Sequence, residues 1–289
     1  DPFLANSYYK NFEWNSNVTI LTQDNPCLVI DELDVCIYGI GFSSFYSEGT
    51  LLNTLNIENR KSFNILLAHG TVDISVGEAV YNPMDSRQLE LLGMDYIALG
   101  HFHNPYDRLS SKGIYNPGSP EPLGFDETGE HGVYKGILTM EDNGQKNLDV
   151  HFISTAKRFY ENIEVNIGGC STDSEVCEII SAALRNKDKE RGIFSITLTG
   201  YVNKDFRVNC RLIQSMLSNE YFYIKIKDAT LPDYDFDTLK YEQGLKGNFI
   251  RKVLTKIEET NNEKEKALLW KALYYGLEAL DKGKIENII

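Results

Sequence analysis

Two apolar runs separated by a short helical pattern most constrain the fold of this 289-residue chain. The runs are FNILLA at residues 63–68 and DYIALG at residues 95–100, and the segment SRQLELLG between them has apolar residues at helical spacing and ends at Gly93. Strand, helix and strand in this order predict an α/β layered domain. Because both runs are apolar throughout, we expect strands that are covered on both faces of their sheet.

Further β-rich runs extend this prediction through the first half of the chain. They are NVTIL at residues 17–21, CLVI at 27–30, DVCIYGI at 34–40 and GVYKGILTM at 132–140. After about residue 155 strand and helix patterns alternate in a βαβαβ order, which predicts a second, small α/β domain. From residue 232 an aspartate- and tyrosine-rich stretch predicts a linker, and two amphipathic helices follow it. We therefore predict domains at residues 1–155 and 156–231, and a linker with a helix pair at 232–289.

The charge of the chain is unevenly distributed. The net charge is −13, and residues 1–150 hold 21 acidic and 8 basic side chains, whereas residues 151–289 hold 21 of each. An acidic surface repels nucleic-acid phosphates at long range, so composition alone argues against a nucleic-acid function. Such a function must come from a local site.

Cysteine usage and hydropathy indicate a reducing location without a membrane anchor. The cysteines form no Cys-x-x-Cys pair and are odd in number: Cys27, Cys36, Cys170, Cys177 and Cys210. We predict free thiols and a cytoplasmic protein. No segment approaches the ~18 consecutive apolar residues of a membrane helix, so no membrane is expected among the partners. Because the chain begins at Asp1 rather than at a methionine, we expect it to be a piece of a longer protein.

Three of the five histidines directly follow the two apolar runs. His69 ends the first run, and His101 and His103 follow the second. If the two strands are neighbours, these imidazoles meet at one edge of the sheet, where neutral imidazole can bind a metal ion. Three imidazoles with one open position suit zinc, whereas a manganese or iron site requires carboxylates as well. The other two histidines, His131 and His151, are expected to be solvated loop residues.

The motifs around these histidines resemble a known family. LLAHG and GHFHNP are similar to the last two metal-binding motifs of the calcineurin-like metallophosphoesterases. The segment YNPGSPEPLGFDETGEHGVY at residues 115–134 resembles the corresponding part of SbcD-type DNA repair exonucleases, particularly their YhaO-like bacterial branch, and the resemblance runs along essentially the whole chain. It implies an α/β fold consisting of the C-terminal part of a layered αββα metallophosphoesterase domain, a small α/β capping domain and a C-terminal helix pair.

The resemblance also implies a set of metal ligands. His69 and His101 would bind one ion of a dinuclear centre and His103 the other, with Mn2+ as the expected metal. Asp1 resembles the last residue of the family's Gly-Asn-His-Asp motif, and Asp1 and His101 are the expected catalytic residues. The other family ligands would precede residue 1, so we expect the chain as given to bind metal weakly and to have little nuclease activity.

Residues near the histidine motifs are candidates for binding substrate. The resemblance places Asn116 and Ser119 near the rim of the active site, and Arg108 is positioned in the sequence to contact a phosphate. A plain turn at residues 116–119 and a solvated role for Arg108 are the alternatives.

The helix pair resembles the segment that binds the base of an SbcC-type coiled-coil ATPase. The apolar stripe that would contact this partner includes Ile250, Leu254, Leu269, Leu273 and Leu277. A purely intramolecular contact is the alternative for this stripe. The family also implies DNA as a partner and a possible homodimer.

The leading hypothesis from the sequence is the nuclease subunit of a DNA repair complex, which hydrolyses phosphodiester bonds with two metal ions. A phosphoesterase that acts on nucleotides or small phosphates would carry the same metal motifs. A third hypothesis is a non-catalytic scaffold with an incomplete metal site.

Overall fold

The computed structural model describes residues 3–44, 49–73 and 81–283. The chain divides into two compact units, one formed by residues 1–161 with 191–193 and the other by residues 162–190 with 194–289. Within the described ranges, no helix combines the length and apolar character needed to cross a membrane.

A five-stranded sheet forms the centre of the first unit. Its strands lie in the order of the chain: β1 (Cys27–Ile30), β2 (Val35–Gly39), β3 (Phe63–His69), β4 (Tyr96–Gly100) and β5 (Ile114–Tyr115). Strands β1 and β2 are antiparallel, and each later neighbouring pair is parallel. A four-residue helix, α1 (Tyr8–Asn11), precedes the sheet, and α2 (Ser86–Leu91) connects β3 to β4. The predicted strand, helix and strand are therefore confirmed.

One face of this sheet forms the core of the unit. Leu66 and Ala68 of β3 and Ile97 of β4 are buried there together with Leu89 of α2. On the opposite face Leu67 is 44% exposed, so the prediction that FNILLA is covered on both faces is wrong. That face borders an apolar cleft of about 470 Å³, which is lined by Leu33, Val35, Phe63, Ile65, Tyr96, Tyr134, Gly136, Leu138 and Leu148.

A long antiparallel hairpin completes the first unit. It consists of β6 (Gly132–Met140), as predicted, and β7 (Lys146–Ser154). The strand predicted at residues 17–21 is wrong, since this segment joins no ladder. Instead, the side chain of Leu21 packs against Gly39. A Cβ atom added at Gly39 would lie only 2.6 Å from Cδ1 of Leu21.

The second unit contains the predicted βαβαβ pattern. It is formed by β8 (Phe159–Asn166), α3 (Asp173–Ala183), β9 (Gly192–Thr199), α4 (Cys210–Leu217) and β11 (Tyr223–Asp228). The three strands form one sheet in the order β11-β9-β8. A separate parallel pair joins β10 (Tyr201–Asn203) to β12 (Leu231–Asp233). Phe194, Ile196 and Leu198 of β9 are fully buried in this unit.

Three helices follow in the same unit: α5 (Phe236–Leu239), α6 (Leu245–Glu259) and α7 (Glu263–Lys282). The two predicted helices are α6 and α7. The stretch predicted as a linker contains α5, and Tyr234 and Phe236 pack against the apolar cluster between the helices. This stretch is therefore packed against the helices rather than free.

Candidate metal centre

The ends of β3 and β4 bring two of the predicted ligands together. His69 pairs with Gly100 in the parallel register of these strands, and His101 is the next residue. The ring centroids of His69 and His101 are 5.3 Å apart. The predicted adjacency of the two strands is thus confirmed, and it places both imidazoles at one edge of the sheet.

The imidazole of His69 lies among aromatic rings. Phe42 and Tyr81 both meet it edge to face, with centroid distances of 5.9 and 5.8 Å. Burial, followed by nearby positive charges that include those of His101 and His103, lowers the pKa of His69 to about 4. The ring is therefore neutral near pH 7, which is the form that binds a metal ion.

His101 is held in an uncommon backbone conformation. Its φ is 117°, a region in which a residue with a Cβ atom is strained. Its ring stacks on Tyr81 at 5.8 Å with an interplanar angle of 11°. Burial, followed by the charge of His103, lowers the pKa of His101 as well. Strain of this kind persists only where the surroundings fix the residue, as they do at functional sites.

Asn82 anchors the loop that leaves β3. Its side-chain amide donates to the carbonyl of His69 at 2.7 Å, and its Oδ1 accepts from the backbone amide of Leu51 at 2.8 Å. Gly70 has a φ of 153°, and a Cβ atom at this position would lie 2.4 Å from the carbonyl oxygen of Asn82. The fully buried Asn82 therefore fixes the backbone beside the His69 ring.

The third predicted ligand, His103, bonds to a carboxylate that the sequence reasoning missed. His103 Nδ1 lies 2.6 Å from Oε1 of Glu127, which is buried. His131 was expected to be solvated, but it is fully buried and its Nδ1 lies 3.0 Å from the Ser119 carbonyl oxygen. The expectation for His131 is wrong because the turn at residues 116–119 covers it. His151, in contrast, is largely exposed, although it lies on β7 rather than in a loop.

Asn116 and Ser119, two of the residues predicted to contact substrate, lie in the turn at residues 116–119. Asn116 is fully buried and donates to the carbonyls of Phe102 and Asn104, both at 3.1 Å. Ser119 donates its backbone amide to the carbonyl of His103 at 2.8 Å. These contacts hold the loop that carries His101 and His103. They agree with the alternative interpretation of residues 116–119 as a plain turn.

Arg108 is also used within the chain. Its guanidinium donates to the carbonyl of Val72 at 3.1 Å and lies 5.1 Å from the centre of the Tyr106 ring.

The described residues provide only part of a metal centre. Among residues 3–44, 49–73 and 81–283, no group of three or more His, Cys, Asp or Glu side chains is arranged to hold a metal ion. Two neutral imidazoles at adjoining strand ends are suitable donors for a divalent transition metal, but two donors are too few to hold it. Asp1 lies outside the described residues. The donor chemistry of the two imidazoles fits a divalent transition metal.

The residues predicted to bind a partner lie in the core between α6 and α7. Ile250, Leu273 and Leu277 are fully buried in one apolar cluster, and Leu254 and Leu269 are partly buried against it. Their side chains pack within the chain. This agrees with the alternative of a purely intramolecular contact for the apolar stripe of the helix pair. The exposed apolar residues of these two helices are Leu245, Leu268, Trp270 and Leu280.

Comparison with known proteins agrees with the histidine motifs. No protein-family model matches the chain. The chain is 35% identical over 140 residues to the uncharacterized metallophosphoesterase YhaO of Bacillus subtilis (strain 168). This match supports the calcineurin-like metallophosphoesterase superfamily. Metallophosphoesterases use divalent metal ions, which agrees with the donors at the ends of β3 and β4. The match covers 45% of this chain and 33% of the length of YhaO.

Proposed function

We propose that this chain is part of a metallophosphoesterase that hydrolyses phosphodiester bonds of DNA, as the nuclease subunit of a repair complex of the SbcD type. The observation that carries the proposal is the pair of neutral imidazoles, His69 and His101, whose rings lie 5.3 Å apart at adjoining strand ends. The similarity of residues 115–134 to SbcD-type exonucleases supports DNA as the substrate. A cytoplasmic location belongs to the same proposal and is supported by five free cysteines.

The proposal assigns a role to each histidine. His69 and His101 would hold one divalent ion and His103 a second, with Mn2+ as the proposed metal and the remaining ligands, Asp1 among them, supplied from outside the described residues. Two such ions, when bound, activate a water molecule and neutralise both the attacking and the leaving oxygens of a phosphodiester. The protein's own part is to keep His69 neutral by burial and to fix His101 against Tyr81.

The partner in this proposal is an SbcC-type coiled-coil ATPase that contacts α6 and α7. Because Leu273 and Leu277 are buried, the contact would use exposed apolar residues of the same helices, such as Leu245 and Leu268. Leu268 is 68% exposed and is therefore available to a second chain. Homodimer formation is also part of the proposal.

A phosphoesterase that acts on nucleotides or small phosphates is the second candidate, and the similarity to YhaO favours it equally. The two candidates differ in the substrate that they hydrolyse. We would assay the chain alone and the chain extended by its upstream genomic sequence, both with Mn2+. The substrates are duplex DNA ends, bis-p-nitrophenyl phosphate and cyclic nucleotides.

The proposed function predicts that the extended protein degrades duplex DNA and that the chain alone has little activity. His101→Asn abolishes the activity, whereas His151→Asn, a matched change at an exposed histidine, leaves it unchanged. Hydrolysis of nucleotides without DNA would favour the second candidate. Complete inactivity of the extended protein on every substrate would favour the scaffold.

A further inference from the structure

A buried carboxylate holds the exposed imidazole of His103. The distance from Glu127 Oε1 to His103 Nδ1 is 2.6 Å. The Glu127 side chain is 8% exposed, whereas that of His103 is 56% exposed. Nδ1 of the His103 ring is thus held by Glu127, while more than half of the His103 side chain is exposed to solvent.

The second oxygen of Glu127 is also fully used. Oε2 accepts from the backbone amide of Leu123 at 3.0 Å and from the hydroxyl of Ser119 at 3.0 Å. Both of these donors approach Oε2, so this oxygen acts as an acceptor, and Oε1 alone faces the ring of His103.

The contact with Oε1 determines which nitrogen of His103 carries the proton. Because both oxygens of a carboxylate accept, His103 Nδ1 must be the donor in the 2.6 Å contact. The lone pair of the neutral ring is then on Nε2.

Ser119 connects the carboxylate to the backbone of the loop. Its amide donates to the carbonyl of His103 at 2.8 Å, while its hydroxyl reaches Glu127. Nδ1 of the buried His131 lies 3.0 Å from both the carbonyl oxygen and the hydroxyl oxygen of Ser119 and so packs against the turn. His131, Ser119 and Glu127 thus form a continuous support that ends at the His103 ring.

We propose that Glu127 is a positioning residue, which holds His103 through Nδ1 and presents Nε2 to the site as a lone-pair donor for a divalent cation. The part of this inference that concerns the cation rests on the proposed function. The part that concerns the tautomer of His103 does not. A carboxylate that orients a metal-binding histidine in this way typically strengthens metal binding by about 10–100-fold.

The first arm of the test needs neither metal nor a variant. Long-range proton–nitrogen NMR spectra of the metal-free chain at mildly alkaline pH identify which ring nitrogen of His103 carries the proton. We expect the Nδ1–H tautomer. A His103 ring protonated on Nε2 would overturn the inference.

The second arm compares Glu127→Gln with Glu130→Gln, the same chemical change at an exposed carboxylate three residues away. Glu127→Gln should convert His103 to a mixture of tautomers, and Glu130→Gln should leave its signals unchanged. Addition of Mn2+ broadens the ring signals of His103 in proportion to binding, and Glu127→Gln should weaken this binding by about 10-fold or more. Mn2+ that binds measurably and equally to the two variants, with amide spectra showing that both are folded, would also overturn the inference.

The two arms separate this inference from the proposed function. If wild-type His103 carries its proton on Nδ1 but Mn2+ does not bind in any form of the protein, the tautomer inference stands and the metal centre fails. If Glu127→Gln does not fold, the wild-type tautomer still decides the inference.

Discussion

His69 and Gly100 are register partners in the parallel strands β3 and β4, and a Cβ atom at Gly100 would lie 3.1 Å from Nδ1 of His69. The ring of His69 thus occupies space that any larger residue at position 100 would restrict. His101 follows Gly100 directly, and its ring centroid lies 5.3 Å from that of His69. The pairing of β3 with β4 thus brings His69 and His101 to one edge of the sheet.

Gly100→Ala tests this contact. The added methyl group should displace the His69 ring by a few tenths of an ångström, while the free energy of unfolding changes by less than about 1 kcal/mol, because alanine also restricts the unfolded chain. We expect shifted NMR signals for the His69 ring. Gly49→Ala is the control, since a Cβ atom there meets nothing within 4 Å. Identical His69 spectra in the wild type and Gly100→Ala would mean that the contact is not close.

Asn82→Ala tests the anchor of the loop after β3. It removes the part-buried hydrogen bonds that the Asn82 side chain makes to the His69 carbonyl and the Leu51 amide. We expect a loss of about 2–4 kcal/mol in the free energy of unfolding, measured by denaturant titration. Asn15→Ala, at an exposed position, should cost less than about 0.5 kcal/mol. Equal stability of the two variants would show that the anchor has no energetic role.

The lowered pKa of His69 predicts a dependence of stability on pH in the metal-free protein. The folded-state pKa of about 4 lies below the ordinary histidine pKa of 6.5, so between these two values the unfolded chain binds more protons than the folded chain. Stability is therefore full above about pH 6.5 and falls as the pH decreases toward 4, by roughly 1–2 kcal/mol after allowance for partial exposure. Unfolding titrations in the presence of a chelator measure this slope.

His69→Asn should reduce the slope in that pH range. An unchanged slope in this variant would assign the pH dependence to other groups.

The sequence predicted β3, α2 and β4 because apolar runs and helical spacing are local signals. The strand at residues 17–21 was predicted wrongly, since Leu21 is apolar for its packing against Gly39 and not for pairing in a sheet. Strand β7 was missed because its residues KNLDVHFIS are mostly polar and are paired only through the hairpin with β6.

The site was predictable in part for the same reason. The histidines after β3 and β4 follow clear strand patterns, so their meeting could be predicted. Glu127 lies among acidic loop residues and looks solvated in the sequence, and only the folded turn reveals that it is buried. The sequence did carry a signal of a folded turn, since Glu127 lies in the segment FDETGEHG together with an aromatic residue and two glycines.

The helix pair provides a test that separates packing from partner binding. Leu273→Glu should destabilise the protein by about 3–5 kcal/mol, because Leu273 is fully buried between α6 and α7. Leu268→Glu should change stability by less than about 0.5 kcal/mol, because Leu268 is largely exposed. Thermal unfolding measures both effects.

Under the proposed function Leu268→Glu weakens capture of an SbcC-type ATPase in a pull-down while the protein stays folded. Undiminished capture by a doubly substituted Leu245→Glu, Leu268→Glu variant would exclude this surface as the contact.

Under the proposed function His69, His101 and His103 hold divalent cations. The most direct measurement is anomalous X-ray scattering at the manganese edge from crystals of the chain extended by its upstream genomic sequence and grown with Mn2+. We predict one manganese bound by nitrogens of both His69 and His101, and a second bound by Nε2 of His103. Manganese found only at other places, with these three rings free of metal, would contradict the claim.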